Sequence, residues 1–108
     1  SNDRVPSTPY FSVIFTSRRA EVDQSAYEAT AERMLKLAAL QDGYLGADSV
    51  RDASGLGITV SYWRDLESIR RWHEDAEHRE AQKAGREKWY QSFDVRICRV
   101  ERQYEFER

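Results

Sequence analysis

Aromatic and ionisable side chains are concentrated between Tyr62 and Tyr90, a stretch that holds all three tryptophans and both histidines of the chain. Within it, His78, Gln82 and Trp89 recur at the spacing of successive helical turns, so a helix would place them on one face. An unperturbed imidazole has a pKa of about 6.5 and can accept a proton near neutral pH. We therefore expect His78 to remove a proton from a bound phenol or enol, while Gln82 orients an oxygen atom of that ligand.

Four aromatic side chains are the predicted ligand contacts of this pocket. Tyr62 is expected to lie opposite His78, across a space between helix and sheet. Each aromatic side chain also has a structural interpretation, because tryptophans at helical spacing are first of all core residues. A helical histidine between charged neighbours is often a cap or a surface residue. The predicted substrate-binding residues are Tyr62, Trp72, Trp89 and Tyr90.

Alternation of apolar and polar residues predicts the strands that carry the pocket. In the third strand Ile58, Val60 and Tyr62 point to one side, whereas Trp63 belongs to the other, nominally polar side. A large aromatic residue there suggests that this side is also covered. The predicted strands are Tyr10–Ser17, Tyr44–Asp52, Leu56–Trp63 and Phe93–Phe106.

The last predicted strand is long, and its alternation changes phase. Apolar residues fall on odd numbers up to Ile97 and on even numbers from Cys98 onwards, which predicts a bulge between Ile97 and Arg99. Its length exceeds the usual strand of about five or six residues. We therefore expect it to begin in its own sheet and to continue onto a second subunit.

Helix signals lie between these strands. Ser25 followed by Glu28 has the spacing of a capping box and predicts a helix from about Ser25 to Gln41, ended by Gly43. Asp65 is the predicted N-cap of a second helix. An acidic break at Glu74 and Asp75 separates that helix from the segment that carries His78, Gln82 and Trp89.

The resulting order is strand, helix, strand, strand, broken helix, strand. This order is typical of an α+β, ferredoxin-like β-α-β-β-α-β fold with an antiparallel sheet. Helices in such a fold cover only one face of the sheet, so the other face needs a partner. Together with Trp63 and the long final strand, this predicts a homodimer built sheet against sheet, a dimeric α+β barrel.

Bulk properties restrict the remaining possibilities. The chain has 108 residues and a net charge of −2 with both signs interspersed, so nucleic acid is an unsuitable partner. No apolar run is long enough for a membrane span and no leader is visible, which predicts a cytoplasmic protein without a membrane partner. Residues 1–9 are expected to be a disordered lead-in, and residues 10–106 a single domain. Cys98 is assigned to packing.

A combination of residues spread over the chain carries a family resemblance. These residues are Gly57–Trp63, Trp72 with His73, His78, Gln82, Gly85 with Arg86, Trp89 with Tyr90, and Val100 with Glu101. Together they resemble the antibiotic biosynthesis monooxygenase (ABM) domain family, in particular its small bacterial members, over roughly residues 9–106. The resemblance implies a dimeric α+β barrel and, as one activity, a cofactor-independent monooxygenase whose substrate carbanion reacts directly with O₂. On this interpretation the protein acts on a small aromatic or polyketide-like molecule and needs no cofactor and no metal.

Two alternatives stay open within the resemblance. One is a dimer that binds a small aromatic or hydrophobic molecule without catalysis. The other is a haem-binding or haem-degrading protein, since Trp72 matches a tryptophan of the haem-degrading members. Those members carry an iron-ligating histidine ten residues further on, where this chain has Gln82, and an amide is a poor iron ligand.

Overall fold

Four antiparallel strands and two helices make up the part of the chain that the computed structural model describes, which is residues 6–20, 35–75 and 90–108. The sheet has the order β2-β3-β1-β4, and each neighbouring pair is antiparallel. This arrangement confirms the predicted α+β, ferredoxin-like fold. The elements are β1 (Tyr10–Arg19), α1 (35–39), β2 (Tyr44–Arg51), β3 (Leu56–Trp63), α2 (Leu66–Glu74) and β4 (Tyr90–Val100).

The turn between β2 and β3 is built by one carboxylate. Asp52 Oδ1 accepts hydrogen bonds from the backbone N–H of Ser54 at 2.9 Å and from that of Leu56 at 3.2 Å. The Ser54 hydroxyl donates to the same oxygen at 2.6 Å. These bonds hold the pKa of Asp52 below its ordinary value, the Ser54 side chain having the largest effect. The predicted turn therefore forms, and β3 has the predicted bounds.

Asp65 begins α2 as predicted. Its backbone is extended, with φ −154° and ψ 167°, and its Oδ1 accepts from the Ser68 backbone N–H at 2.8 Å. This is the usual geometry of an N-cap, in which a side-chain oxygen satisfies one of the free N–H groups of the first turn. The helix ends at Glu74, at the predicted acidic break.

Helix α1 ends at residue 39, two residues before the end predicted at Gln41. Gly43 follows in the connection to β2, with φ +92°, a conformation that favours glycine. Its carbonyl accepts from the Arg64 backbone N–H at 2.7 Å, and a Cβ on Gly43 would lie 1.9 Å from Ser68 Oγ. The glycine is therefore needed for close approach to the start of α2. The predicted start of this helix, at Ser25, lies outside the described residues.

The core lies between the helices and one face of the sheet. Cross-strand partners share a face, so Val13 and its partner Ser61, and Phe11 and its partner Trp63, all point to the same side. We call this side the helix-side face. Its buried hydrophobic cluster is Val13, Ala38, Trp63 and Ile69, with Phe11, Tyr44 and Trp72 packed against it.

Trp63 is completely buried inside this single chain, at 0% exposure. From the sequence, Trp63 indicated that a second subunit covers its face, and this interpretation of Trp63 was wrong. The face is covered because α2 packs onto it through Ile69 and Trp72. The opposite face of the sheet does not carry this cluster of described residues; it carries Ile14, Val50, Ile58, Val60 and Cys98, and we call it the open face.

β4 differs from the prediction in its bounds and in its register. It starts at Tyr90 rather than Phe93 and ends at Val100 rather than Phe106. The pairing with β1 runs without interruption past Cys98, so no bulge lies between Ile97 and Arg99; the register shift is at Arg18 and Arg19. The phase change arises because this edge strand carries apolar residues on both faces, with Val95 and Ile97 on the helix-side face and Cys98 and Val100 on the open face.

Candidate functional site

Three aromatic rings pack against one another on the helix-side face. The rings of Trp63 and Trp72 are stacked, with centroids 5.1 Å apart and an interplanar angle of 28°. Tyr44 meets Trp63 edge-on at 5.5 Å. The indole N–H of Trp63 donates to Ser61 Oγ at 2.8 Å, so this buried polar group is satisfied. Trp72, a predicted ligand contact, is half-buried in this cluster, and its ring packs the core.

Next to the cluster, the helix-side face carries apolar side chains that remain accessible. Phe15 and Phe93 are stacked with ring centroids 5.5 Å apart. On β4, Val95 is 42% exposed and Ile97 is 56% exposed, although both point to the side on which the helices lie. Exposed apolar groups on that side are suited to contact a flat hydrophobic ring.

Hydroxyl groups continue this surface across β3 and β2. Ser49 Oγ and Thr59 Oγ1 are 2.7 Å apart and share one hydrogen bond. Hydroxyls can both donate and accept, so they can orient an oxygen of a bound molecule. Neither these residues nor the β4 apolar pair were among the predicted site residues, although strand alternation contained the signal. We call the surface formed by Phe15, Ser49, Thr59, Phe93, Val95 and Ile97 the sheet floor.

Tyr62 does not lie in this surface. Its cross-strand partner is Ser12, and its ring meets Tyr10 edge-on at 6.2 Å, on the open face. Its hydroxyl donates to Asp48 Oδ2 at 2.9 Å. Burial, followed by the bond to Asp48, raises the pKa of Tyr62 above its ordinary value. Tyr62 and Trp72 therefore sit on opposite sides of the sheet and do not form the shared pocket that the sequence suggested.

The other predicted site residues are not placed by the described part of the structure. His78, Gln82 and Trp89 lie outside the described residues. Tyr90 is the first residue of β4, and only its backbone is described. The second histidine, His73, is exposed in the last turn of α2.

Neither a metal-binding cluster nor a membrane-spanning helix is present among the described residues. No group of three or more His, Cys, Asp or Glu side chains within residues 6–20, 35–75 and 90–108 is arranged to hold a metal ion. Over the same ranges, no helix has the length and apolar character that a membrane crossing requires.

Comparison with known proteins places this geometry in a family. The sequence profile described as antibiotic biosynthesis monooxygenase matches residues 10–84. The chain is 48% identical over 104 residues to the uncharacterized protein YqjZ of Bacillus subtilis, a match that covers 96% of this chain and 90% of that protein. It is 29% identical over 92 residues to jasmonate monooxygenase ABM of Pyricularia oryzae, covering 83% of this chain and 43% of that protein.

Solved structures share the fold. The crystal structure of SnoaB, a cofactor-independent oxygenase from Streptomyces nogalater, superposes with a TM-score of 0.77 at 15% identity, covering 93% of this chain and 100% of that one. An identity this low supports the fold alone, whereas the profile match and the similarity to YqjZ extend to the sequence. The chain belongs to the antibiotic biosynthesis monooxygenase family.

Proposed function

We propose that this protein is a cofactor-independent monooxygenase that acts on a small aromatic or polyketide-like substrate bound over the sheet floor. The observation that carries the proposal is the family match, which spans β1 to β3 and α2 and so includes most of the scaffold described above. The sheet floor supports it, because accessible Val95 and Ile97 beside paired hydroxyls suit a ring that bears oxygen. Fold similarity by itself would not select an activity.

The proposed reaction uses His78 and Gln82 and balances without an added reductant. His78 removes a proton from an acidic C–H of an anthrone-like substrate, leaving a carbanion conjugated with the ring system. The carbanion attacks O₂ and forms a carbon–oxygen bond, giving a peroxide anion that takes up a proton. Loss of water then breaks the O–O bond and leaves a carbonyl, so one oxygen atom enters the product and the other leaves in water. Gln82 orients the substrate oxygen during these steps.

The test compares the two histidines of the chain. Purified protein should consume O₂ and convert an anthrone or quinol faster than buffer does, measured with an oxygen electrode and by product absorbance. His78→Ala should lower the rate by about a hundredfold or more, because general base catalysis contributes about 10²–10⁴-fold. His73→Ala is the matched control and should stay within about twofold of wild type, since His73 is exposed at the end of α2.

Two results would contradict the proposal. Wild-type protein that is no faster than buffer would remove the oxygenase function, and equal losses in both histidine variants would remove the role of His78. A rise in melting temperature on adding the aromatic ligand, without O₂ consumption, would instead support the alternative of a non-catalytic binding protein.

The homodimer is the second part of the proposal. The open face carries Val50, which is 71% exposed, and its cross-strand partner Ile58, which is 39% exposed, on the neighbouring strands β2 and β3. The C-terminal segment after β4 adds exposed Tyr104 and Phe106, and its Gln103 accepts a hydrogen bond from Tyr10 beside this face. Apolar surface of this kind is typical of a protein interface. We infer that a second copy of the chain covers it.

A further inference from the structure

A cleft of about 440 Å³ lies at one end of the sheet, away from the aromatic cluster. It is bounded by the end of β1, the tip of the β2–β3 turn and the start of β4. Among the described residues, the side chains that line it are two arginines, two neutral polar residues and one alanine. The lining residues are Arg18, Arg19, Ala20, Ser54 and Gln91.

Arg18 is the residue in this cleft that is available to a ligand. It is exposed, and its charge is one of the weaker causes that lower the pKa of Asp52. The carboxylates near Arg18 make their hydrogen bonds and short ion pairs with other groups. Asp52 accepts three hydrogen bonds from its own turn, and Asp94 pairs with Arg96 at 2.7 Å.

The backbone around the cleft is held firmly. The Arg19 N–H donates to the Gly55 carbonyl at 2.9 Å, which ties the end of β1 to the turn that carries Ser54. Arg51 also donates from its guanidinium to the Gly55 carbonyl, and at 2.8 Å to Ser17 Oγ, so a third positive charge is fixed beside the cleft. The register shift between Arg18 and Arg19 interrupts the regular alternation of β1, and both of these consecutive side chains line the cleft.

We propose that this cleft binds a small anionic group, either a phosphate or a carboxylate. Arg18 would supply a planar fork of N–H donors that matches two oxygens of such a group. Gln91 would add a neutral donor, while Arg19 and Arg51 raise the local positive potential. The inference does not depend on the proposed oxygenase activity, because it concerns residues that the proposed reaction does not use.

The experiment is a titration of the full-length ¹⁵N-labelled protein with inorganic phosphate, with benzoate, and with phenol as the neutral counterpart of benzoate. We expect saturable shifts of the backbone amides of residues 18–20, 54 and 91 with phosphate or benzoate and none with phenol. Arg18→Gln should weaken the anion affinity by about tenfold or more, since a charge-assisted hydrogen bond is lost. Arg18→Lys, which keeps the charge, should retain part of that affinity.

The matched control is Arg99→Gln, which removes one exposed positive charge from β4, where Arg99 pairs with Glu101 at 3.3 Å. Its anion affinity should stay within about twofold of wild type. Tighter binding of phosphate would point to a free phosphate group as the source of the anion, and tighter binding of benzoate to the acid group of an aromatic ligand. The proposal would be overturned if neither anion gave saturable shifts. It would also be overturned if wild type and Arg18→Gln had equal anion affinities while the amide spectra of both proteins showed that they are folded.

Discussion

Trp63 is the residue on which packing between α2 and the sheet depends. Its side chain is fully buried, stacks on Trp72 and has its N–H satisfied by Ser61. Truncation would leave a cavity that the two neighbouring rings cannot fill, and it would leave the Ser61 hydroxyl without this donor. Both effects act in the same direction, so the substitution is destabilising.

We expect Trp63→Ala to lower the free energy of unfolding by about 3–5 kcal/mol, the usual loss for a large buried aromatic side chain. Urea unfolding followed by circular dichroism measures it. Leu40→Ala is the control, since Leu40 is 81% exposed and its loss should change stability by no more than about 0.5 kcal/mol. A loss below about 1 kcal/mol for Trp63→Ala would show that the residue does not hold the core.

Tyr62 illustrates what the sequence could predict at the scale of single residues. Alternation correctly predicted that Tyr62 and Trp63 point to opposite sides of β3. It did not tell which side the helices cover, because that depends on how a distant helix packs. The apolar side of β3, with Ile58 and Val60, turned out to be the open face, and the side with Thr59 and Ser61 the helix-side face.

At the scale of the element, α2 depends on one titrating group. Asp65 accepts hydrogen bonds from the Ser68 side chain and backbone and contacts Arg64, and these interactions lower the pKa of Asp65 to about 2. A pKa that is lower in the folded state means that the ionised form stabilises the fold. This stabilisation is present above pH of about 4 and is lost as the pH falls through about 2.

Asp65→Asn tests this dependence, because asparagine is also a good N-cap but does not titrate. The difference in urea midpoint between wild type and Asp65→Asn should be largest near neutral pH and should vanish as the pH approaches about 2. Glu105→Gln, which removes a carboxylate in the C-terminal segment, is the control. The difference in urea midpoint between wild type and Glu105→Gln should not show this pH dependence. A constant difference between wild type and Asp65→Asn across the range would contradict the assigned role of the charge.

The elements were predicted with unequal success for physical reasons. β3 and the cap of α2 depend on local signals, namely period-two alternation and an aspartate before an apolar helix, so their bounds could be predicted. β4 is an edge strand with apolar residues on both faces. It ends at Val100 because Val100 pairs with Tyr10, which is the first residue of β1. No local pattern contains that information, so the end of the strand within its own sheet was not predicted. The continuation of the strand onto a second subunit stays a prediction.

At the scale of the whole molecule, the distribution of apolar residues requires explanation. The helix-side face of β3 carries Thr59 and Ser61, whereas the open face carries Ile58 and Val60. The open face therefore keeps apolar side chains that remain exposed in the single chain, with Val50 at 71% and Ile58 at 39% exposure. That arrangement is stable when a partner buries the open face, and a second copy provides an identical apolar surface.

We therefore expect the wild-type protein to have about twice the mass of one 12.7 kDa chain in solution, measured by light scattering after size exclusion. Ile58→Asp should weaken dimerisation by about a hundredfold or more, because the dimer would bury an unpaired carboxylate. Leu40→Asp adds the same charge at an exposed site outside the sheet and should leave the mass unchanged. Circular dichroism must confirm that both variants fold. A wild-type mass of one chain at every concentration, or an undiminished dimer in Ile58→Asp, would show that the open face does not bind a second copy.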